Sequence, residues 1–138
     1  FGDYIVVSSF SGVAGHVTVE DHAVIGAMSG VHQFVKIGAF AMIGGMSKIV
    51  QDVCPFVIAD GNPARVVGLN AVGIARNKIP AESKSALKKA YRLIFRSGLK
   101  LNDAIQEMEQ ELPSTPEIEH LLRFLRNCDR GLCRTRDR

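Results

Sequence analysis

The sequence predicts a chain that is first β and then α: a three-sided solenoid of short parallel strands, followed by a helical domain. Three observations predict it. Val or Ile recurs at every sixth residue from Val7 to Ile49. Helix start and stop signals recur three times after residue 80. The charge divides between the two parts, with a balance of −3 over residues 1–60 and +6 over residues 61–138.

The repeat covers residues 1–54. Neither an α-helix nor a flat strand repeats every six residues. Eight of the nine first positions are Val or Ile: Val7, Val13, Val19, Ile25, Val31, Ile37, Ile43 and Ile49 follow Phe1. These side chains are expected to point inward. The fifth position is small or β-branched (Ser11, Val17, Ala23, Ser29, Val35) and fills the remaining space. Three sixes close one coil, so residues 18 apart stack and each strand pairs only with the coils above and below. Glycine at the second position (Gly2, Gly26, Gly38, Gly44) reads as a corner with positive φ. Pro55 is expected to end the repeat, because proline cannot donate to a ladder. Phe1 opens in full repeat without a cap, so the chain reads as the C-terminal portion of a longer protein whose first coils lie upstream.

Stacking names the neighbours. Phe10, Met28 and Met46 form one column at the fourth position; Tyr4, His22 and Phe40 form another. Apolar columns outside a solenoid either pack under a loop or a neighbouring subunit, or line a groove for an apolar ligand. His16 and His32 fall on one side of the prism in adjacent coils, with Gln33 beside them, which marks a polar site. His22 falls on the next side, so a three-histidine zinc site fits poorly and no metal is expected.

Residues 55–80 read as an extended linker and substrate-contact segment, with turn chemistry at Gly61-Asn62-Pro63. The helical domain spans 81–138. A first helix runs from Pro80 or Ala81 to Ser97, with Gly98 beyond its end and Leu87, Ala90, Tyr91 and Ile94 as its apolar stripe. A second starts near Asn102 and stops before Pro113. A third begins at Thr115-Pro116, a good N-cap followed by a good first helical residue, and ends near Asp129-Arg130-Gly131. The last residues, "CRTRDR", read as frayed.

At 46% hydrophobic and 22% charged residues, the chain buries a core. No apolar run approaches the ~20 residues that span a bilayer. Cys54, Cys128 and Cys133 lack metal-ligand spacing and read as free thiols in a reducing cytoplasm. Lys84, Lys88, Arg92 and Arg96 form a basic stripe at i, i+4 spacing. It is either a solvated face or a docking surface for an acidic or phosphate-bearing partner. Nucleic acid is not expected, because no aromatic residues interleave with the bases and the solenoid is acidic.

Three strings narrow the reading: "GVAGHVTVEDHAVIGAMSGVHQF", "GGMSKIVQDVCPFVIADGNPARVVGLN" and "AYRLIFRSGLKLNDAI". Together they resemble the C-terminal half of the acyl-[acyl-carrier-protein]–UDP-N-acetylglucosamine O-acyltransferases, which perform the first step of lipid A synthesis. The resemblance implies a left-handed parallel β-helix, a homotrimer with active sites between subunits, and no cofactor. The donor it implies is a hydroxyacyl chain on acyl carrier protein, and the acceptor is the 3-hydroxyl of UDP-N-acetylglucosamine. It implies supporting catalytic roles for His16 and His32, and substrate contacts for Gln33, Asn70 and Arg76. Gly45 matches the position limiting acyl length, with Met28 and Met46 beside that groove, and the basic helix matches a docking site for acyl carrier protein. The family's general base lies in an H-x-x-H-D string just before the position matching Phe1. Without it, these 138 residues alone are expected to be inactive. Asn77 stands where the family often has a second Arg, and Val72 where an acidic residue is common. A coenzyme A-dependent acetyltransferase, suggested by "GNPAR", and a non-catalytic β-helical scaffold are the alternatives.

Overall fold

A computed structural model describes residues 1–128 and 131–135. Its first part is a three-sided parallel β-solenoid. Wall A stacks β1 (Val6–Val7), β4 (Val24–Ile25) and β7 (Met42–Ile43). Wall B stacks β2 (Gly12–Val13), β5 (Gly30–Val31) and β8 (Lys48–Ile49). Wall C pairs β3 (Thr18–Val19) with β6 (Lys36–Ile37). Partners are 18 apart, as in Val7↔Ile25↔Ile43 and Val13↔Val31↔Ile49.

The six-residue rule works because each strand turns one side chain in and one out. Val19, Ile25, Val31, Ile37, Ile43 and Ile49 are all buried, as are Ala23, Val35 and Ala41 at the fifth position. Val7, in the first strand of wall A, is 39% exposed. The interior serines form a ladder: Ser11 and Ser29 donate to the carbonyls of Gly26 and Gly44. Their hydroxyls therefore carry no unmet hydrogen bond into the core.

Two sequence expectations are corrected in the coils. Positive φ falls on the fourth position, at Tyr4, Phe10, His16, His22, Met28, Phe34, Phe40 and Met46, and not on the second-position glycines. Those glycines answer to crowding between coils. A Cβ on Gly26 would sit 2.6 Å from the Gly45 nitrogen, and one on Gly38 would strike Pro55. Pro55 also does not end the repeat. The third coil is two residues short, so Val53 bridges to Ile37 and Ile58 pairs with Met42. Phe56 then takes the next left-handed corner, with φ of 66°.

Residues 55–80 are not an extended linker. β9 (Val57–Gly61) continues wall A and folds back as an antiparallel hairpin on β10 (Ala64–Leu69). A short helix, α1 (Ala71–Arg76), follows. Alternating burial in β9, with Val57 and Ala59 inward, keeps this segment on the solenoid.

Three helices complete the fold: α2 (Ala81–Phe95), α3 (Leu101–Glu111) and α4 (Pro116–Arg126). Ala86, Leu87, Ala90 and Ile94 form the buried stripe of α2. The Thr115 hydroxyl accepts the Ile118 amide at 3.2 Å, capping α4. α4 ends at Arg126 with Asn127 as C-cap, short of the expected end; Asp129 and Arg130 lie outside the described residues. The stretch after Gly131 is not frayed through Thr135. Leu132 bridges to Asp52 and Thr135 to Val66, and Leu132 and Cys133 are buried. Arg136, Asp137 and Arg138 lie outside the described residues.

Candidate active-site wall

Wall B carries an open groove of about 620 Å³, lined by Gly12, Ala14, Gly30, His32, Gln33 and Lys48 among others. Its shape follows from the outward positions. Gly12, Gly30 and Lys48 are in register on successive coils, each the first residue of a two-residue strand. Two glycines leave the wall bare; Ala14 and His32 stand on its far side.

His32 follows β5 directly, and its amide donates to the Ile49 carbonyl at 2.9 Å, which fixes its backbone to the coil beyond. Gln33 begins the corner that closes wall B. His16 occupies the same corner one coil earlier, in the left-handed conformation, and its ring stacks on Phe34 at 4.9 Å and 3°. The structure thus puts His32 and Gln33 in the groove and His16 at the groove's corner. Neither imidazole has a hydrogen-bonding partner for its ring among the described residues, so each nitrogen is free to meet a hydroxyl or carbonyl. His22 belongs to the corner between walls C and A, stacked between Tyr4 at 4.9 Å and Phe40 at 4.7 Å. Among the described residues no cluster of three metal-ligating side chains forms.

The apolar column borders this groove. Phe10, Met28 and Met46 are exposed by 91%, 58% and 69%, and each precedes Gly12, Gly30 or Lys48 by two residues. Gly45 lies in the corner just before Met46. A Cβ there would be 3.3 Å from the Ala27 carbonyl oxygen, so coil-to-coil crowding already favours glycine.

Asn70 and Arg76 are elsewhere. Asn70 is 6% exposed and caps α1. Its side-chain oxygen accepts the Gly73 amide at 3.1 Å and its amide nitrogen donates to the Phe40 carbonyl at 2.8 Å. These bonds pin α1 to the corner between walls C and A, which is the vertex opposite wall B. Arg76 is exposed in the last turn of α1. Within one chain, neither meets His32 or Gln33. Asn77 caps the other end of α1, donating to the Gly73 carbonyl at 2.8 Å, and Val72 is exposed.

On α2, Lys88, Arg92 and Arg96 are exposed and Lys84 is half-buried. No acidic side chain pairs with them among the described residues. Residue-by-residue reading missed Lys48, Gly12 and Gly30. Their signal was the 18-residue column Gly, Gly, Lys, visible once outward positions are stacked like inward ones.

Residues 52–133 match the family model described as UDP N-acetylglucosamine O-acyltransferase, domain 2. The chain is 52% identical over 133 residues to the acyl-[acyl-carrier-protein]–UDP-N-acetylglucosamine O-acyltransferase of Thermodesulfovibrio yellowstonii, covering 96% of this chain and 52% of that protein. The crystal structure of the UDP-N-acetylglucosamine O-acyltransferase from Moraxella catarrhalis superposes with a TM-score of 0.90 at 43% identity, over 96% of this chain and 51% of that one. The Acinetobacter baumannii structure gives 0.91 at 42% identity, over 95% and 51%. The chain therefore spans about half the length of the relatives it matches. No helix among the described residues is long and apolar enough to cross a membrane. The coil register, the helices behind it and these matches agree: the chain belongs to the UDP-N-acetylglucosamine O-acyltransferase family.

Proposed function

We propose that this chain is the half of an O-acyltransferase that holds the acyl groove and part of the acceptor site. The complete enzyme transfers a hydroxyacyl chain from acyl carrier protein to the 3-hydroxyl of UDP-N-acetylglucosamine, the first step of lipid A synthesis. The observation that carries the reading is the wall B groove. An apolar, glycine-floored channel with His32 and Gln33 at its side suits a substrate that is part lipid and part sugar.

In the reaction the sugar oxygen attacks the thioester carbonyl, the hydroxyl proton goes to a base, and the carrier thiol departs. A base contributes ~10²–10⁴-fold to such a step. The histidines of this chain act beside it: His32 and Gln33 hold polar groups of the substrate over the wall, and His16 orients the sugar from the corner. Met28, Gly45 and Met46 flank the acyl chain. Arg76 takes the nucleotide diphosphate, while Asn70, whose side chain is engaged within its own chain, positions α1 and reaches the nucleotide only at its edge.

Because α1 stands opposite wall B, a complete site takes wall B from one chain and α1 from its neighbour. A homotrimer supplies that arrangement three times. The cations Lys84, Lys88, Arg92 and Arg96, which pair with no acidic side chain among the described residues, form the docking face for acyl carrier protein, an acidic partner that they attract by complementary charge. Burial pushes the Cys54 thiol well above its ordinary value and raises that of Cys133, which suits a cytoplasmic protein.

Assaying acyl transfer to UDP-N-acetylglucosamine with the complete enzyme and with these 138 residues tests the reading. We expect robust transfer in the first and a loss of at least the base's contribution, ~10²-fold or more, in the second. Full activity in the short chain would show that His16 or His32 is itself the base.

A further inference from the structure

We propose that Lys48 sets how long an acyl chain the groove accepts, because its stem occupies the stretch of floor where a third glycine would leave the wall bare. The inference rests on the acyl-transfer reading above. Gly12, Gly30 and Lys48 stack in register down wall B, and all three line the groove.

The two glycines have no cause within the chain. Neither takes positive φ, and a Cβ on either would meet nothing within 4 Å. The contrast with Gly26 and Gly44 is direct, since a Cβ there would fall 2.6 Å and 2.4 Å from neighbouring atoms. Glycine inside a strand weakens it and marks a place where something approaches the backbone closely. On wall B that visitor comes from outside the chain. The exposed column of Phe10, Met28 and Met46 gives the bare floor an apolar edge, so an alkyl chain lying lengthwise is the occupant the surface fits.

Lys48 closes the column one coil further on, about 4.8 Å beyond Gly30. It is exposed, and among the described residues it makes no hydrogen bond or ion pair that would hold it elsewhere. A lysine lays its methylenes along apolar surface and keeps its ammonium in water. An alkyl chain that advances past Gly30 therefore displaces lysine methylenes with its own and gains little. Over bare floor the same advance gains about fourfold in affinity for each methylene buried.

The test measures kcat/KM of the complete enzyme for 3-hydroxyacyl carrier-protein donors of graded length. Lys48→Gly and Lys48→Ala are expected to move the preferred length upward by about one coil spacing, ~4.8 Å, with about a fourfold gain for each added methylene. Lys48→Met, with a stem of similar length and no charge, keeps the original preference. Gly30→Val fills the floor one coil earlier and shortens the preferred chain. Thermal melting of each variant identifies any that fails to fold, and the remaining ones decide the matter. An unchanged preference in both Lys48→Gly and Lys48→Ala overturns the proposal, as does a shift in Lys48→Met equal to that in Lys48→Gly. Absence of transfer from every donor in the unaltered enzyme would instead remove the acyl-transfer reading itself.

Discussion

Two glycines four residues apart show how differently the same residue type can be required. A Cβ on Gly26 would lie 2.6 Å from the Gly45 nitrogen and 2.7 Å from the Ile43 carbonyl oxygen, both of them backbone atoms that cannot swing aside. Gly26→Ala is therefore expected to destabilise the fold by about 1–3 kcal/mol through overpacking between coils. Gly30→Ala meets open space at an ordinary φ and should stabilise by ~0.4–1 kcal/mol, by restricting the unfolded chain. Urea unfolding of both variants checks the pair; equal effects would show that the coil spacing differs from that described. The sequence revealed the spacing of these glycines but not their cause. Reading glycine as a corner residue follows the usual preference for positive φ, yet here Tyr4, His22 and Phe40 hold the corners. Each bears the left-handed cost, ~1–2 kcal/mol, while its ring stacks on the coil next to it. No local rule sees that compensation, because the stacking partner is 18 residues away.

At the scale of elements, the helical part is fastened to the solenoid by contacts that only the folded chain brings together. His120 on α4 donates from Nε2 to the Glu20 carboxylate at 2.9 Å, and the same Glu20 oxygen accepts the Ala39 amide at 2.9 Å. The hydrogen bond to Glu20 raises the His120 pKa above its ordinary value, against a smaller opposing effect of burial. Since the folded pKa is the higher one, the contact's stabilisation is fully present below about pH 6.5 and is lost as pH climbs through the raised value. Both side chains are partly exposed, which holds the contribution to about 0.2–1 kcal/mol. Melting His120→Gln beside the unaltered chain across the neutral range should show a gap that is widest on the acid side and closes as pH rises. A gap independent of pH would mean that His120 acts by packing alone. The start of α4 was legible, because Thr115-Pro116 carries its cap and first residue in adjacent letters. The pairing of Leu132 with Asp52 and of Thr135 with Val66 was not, since both partners are more than 60 residues distant and nothing in "GLCRT" names them.

For the whole molecule, the proposed function requires residues on opposite sides of one prism to serve one reaction. The inward repeat made the three walls legible, and the family resemblance drew attention to His32 and Arg76. What neither conveyed was that the hairpin and α1 leave from the vertex facing away from wall B, because the short third coil and the return of β10 set that exit. If wall B of one subunit works with α1 of the next, His32→Ala and Arg76→Ala should each lower transfer sharply as pure enzymes, and yet complement each other. Chains unfolded, mixed in equal amounts and refolded would assemble at random, so that about a quarter of the sites would combine an intact His32 with an intact Arg76. The mixture should then recover about a quarter of the unaltered activity. Were both residues to serve a site within one chain, every site in the mixture would carry one lesion and mixing would recover nothing. Activity staying at the level of the separate variants, with co-assembly verified by a tag on one of them, would therefore exclude the shared site.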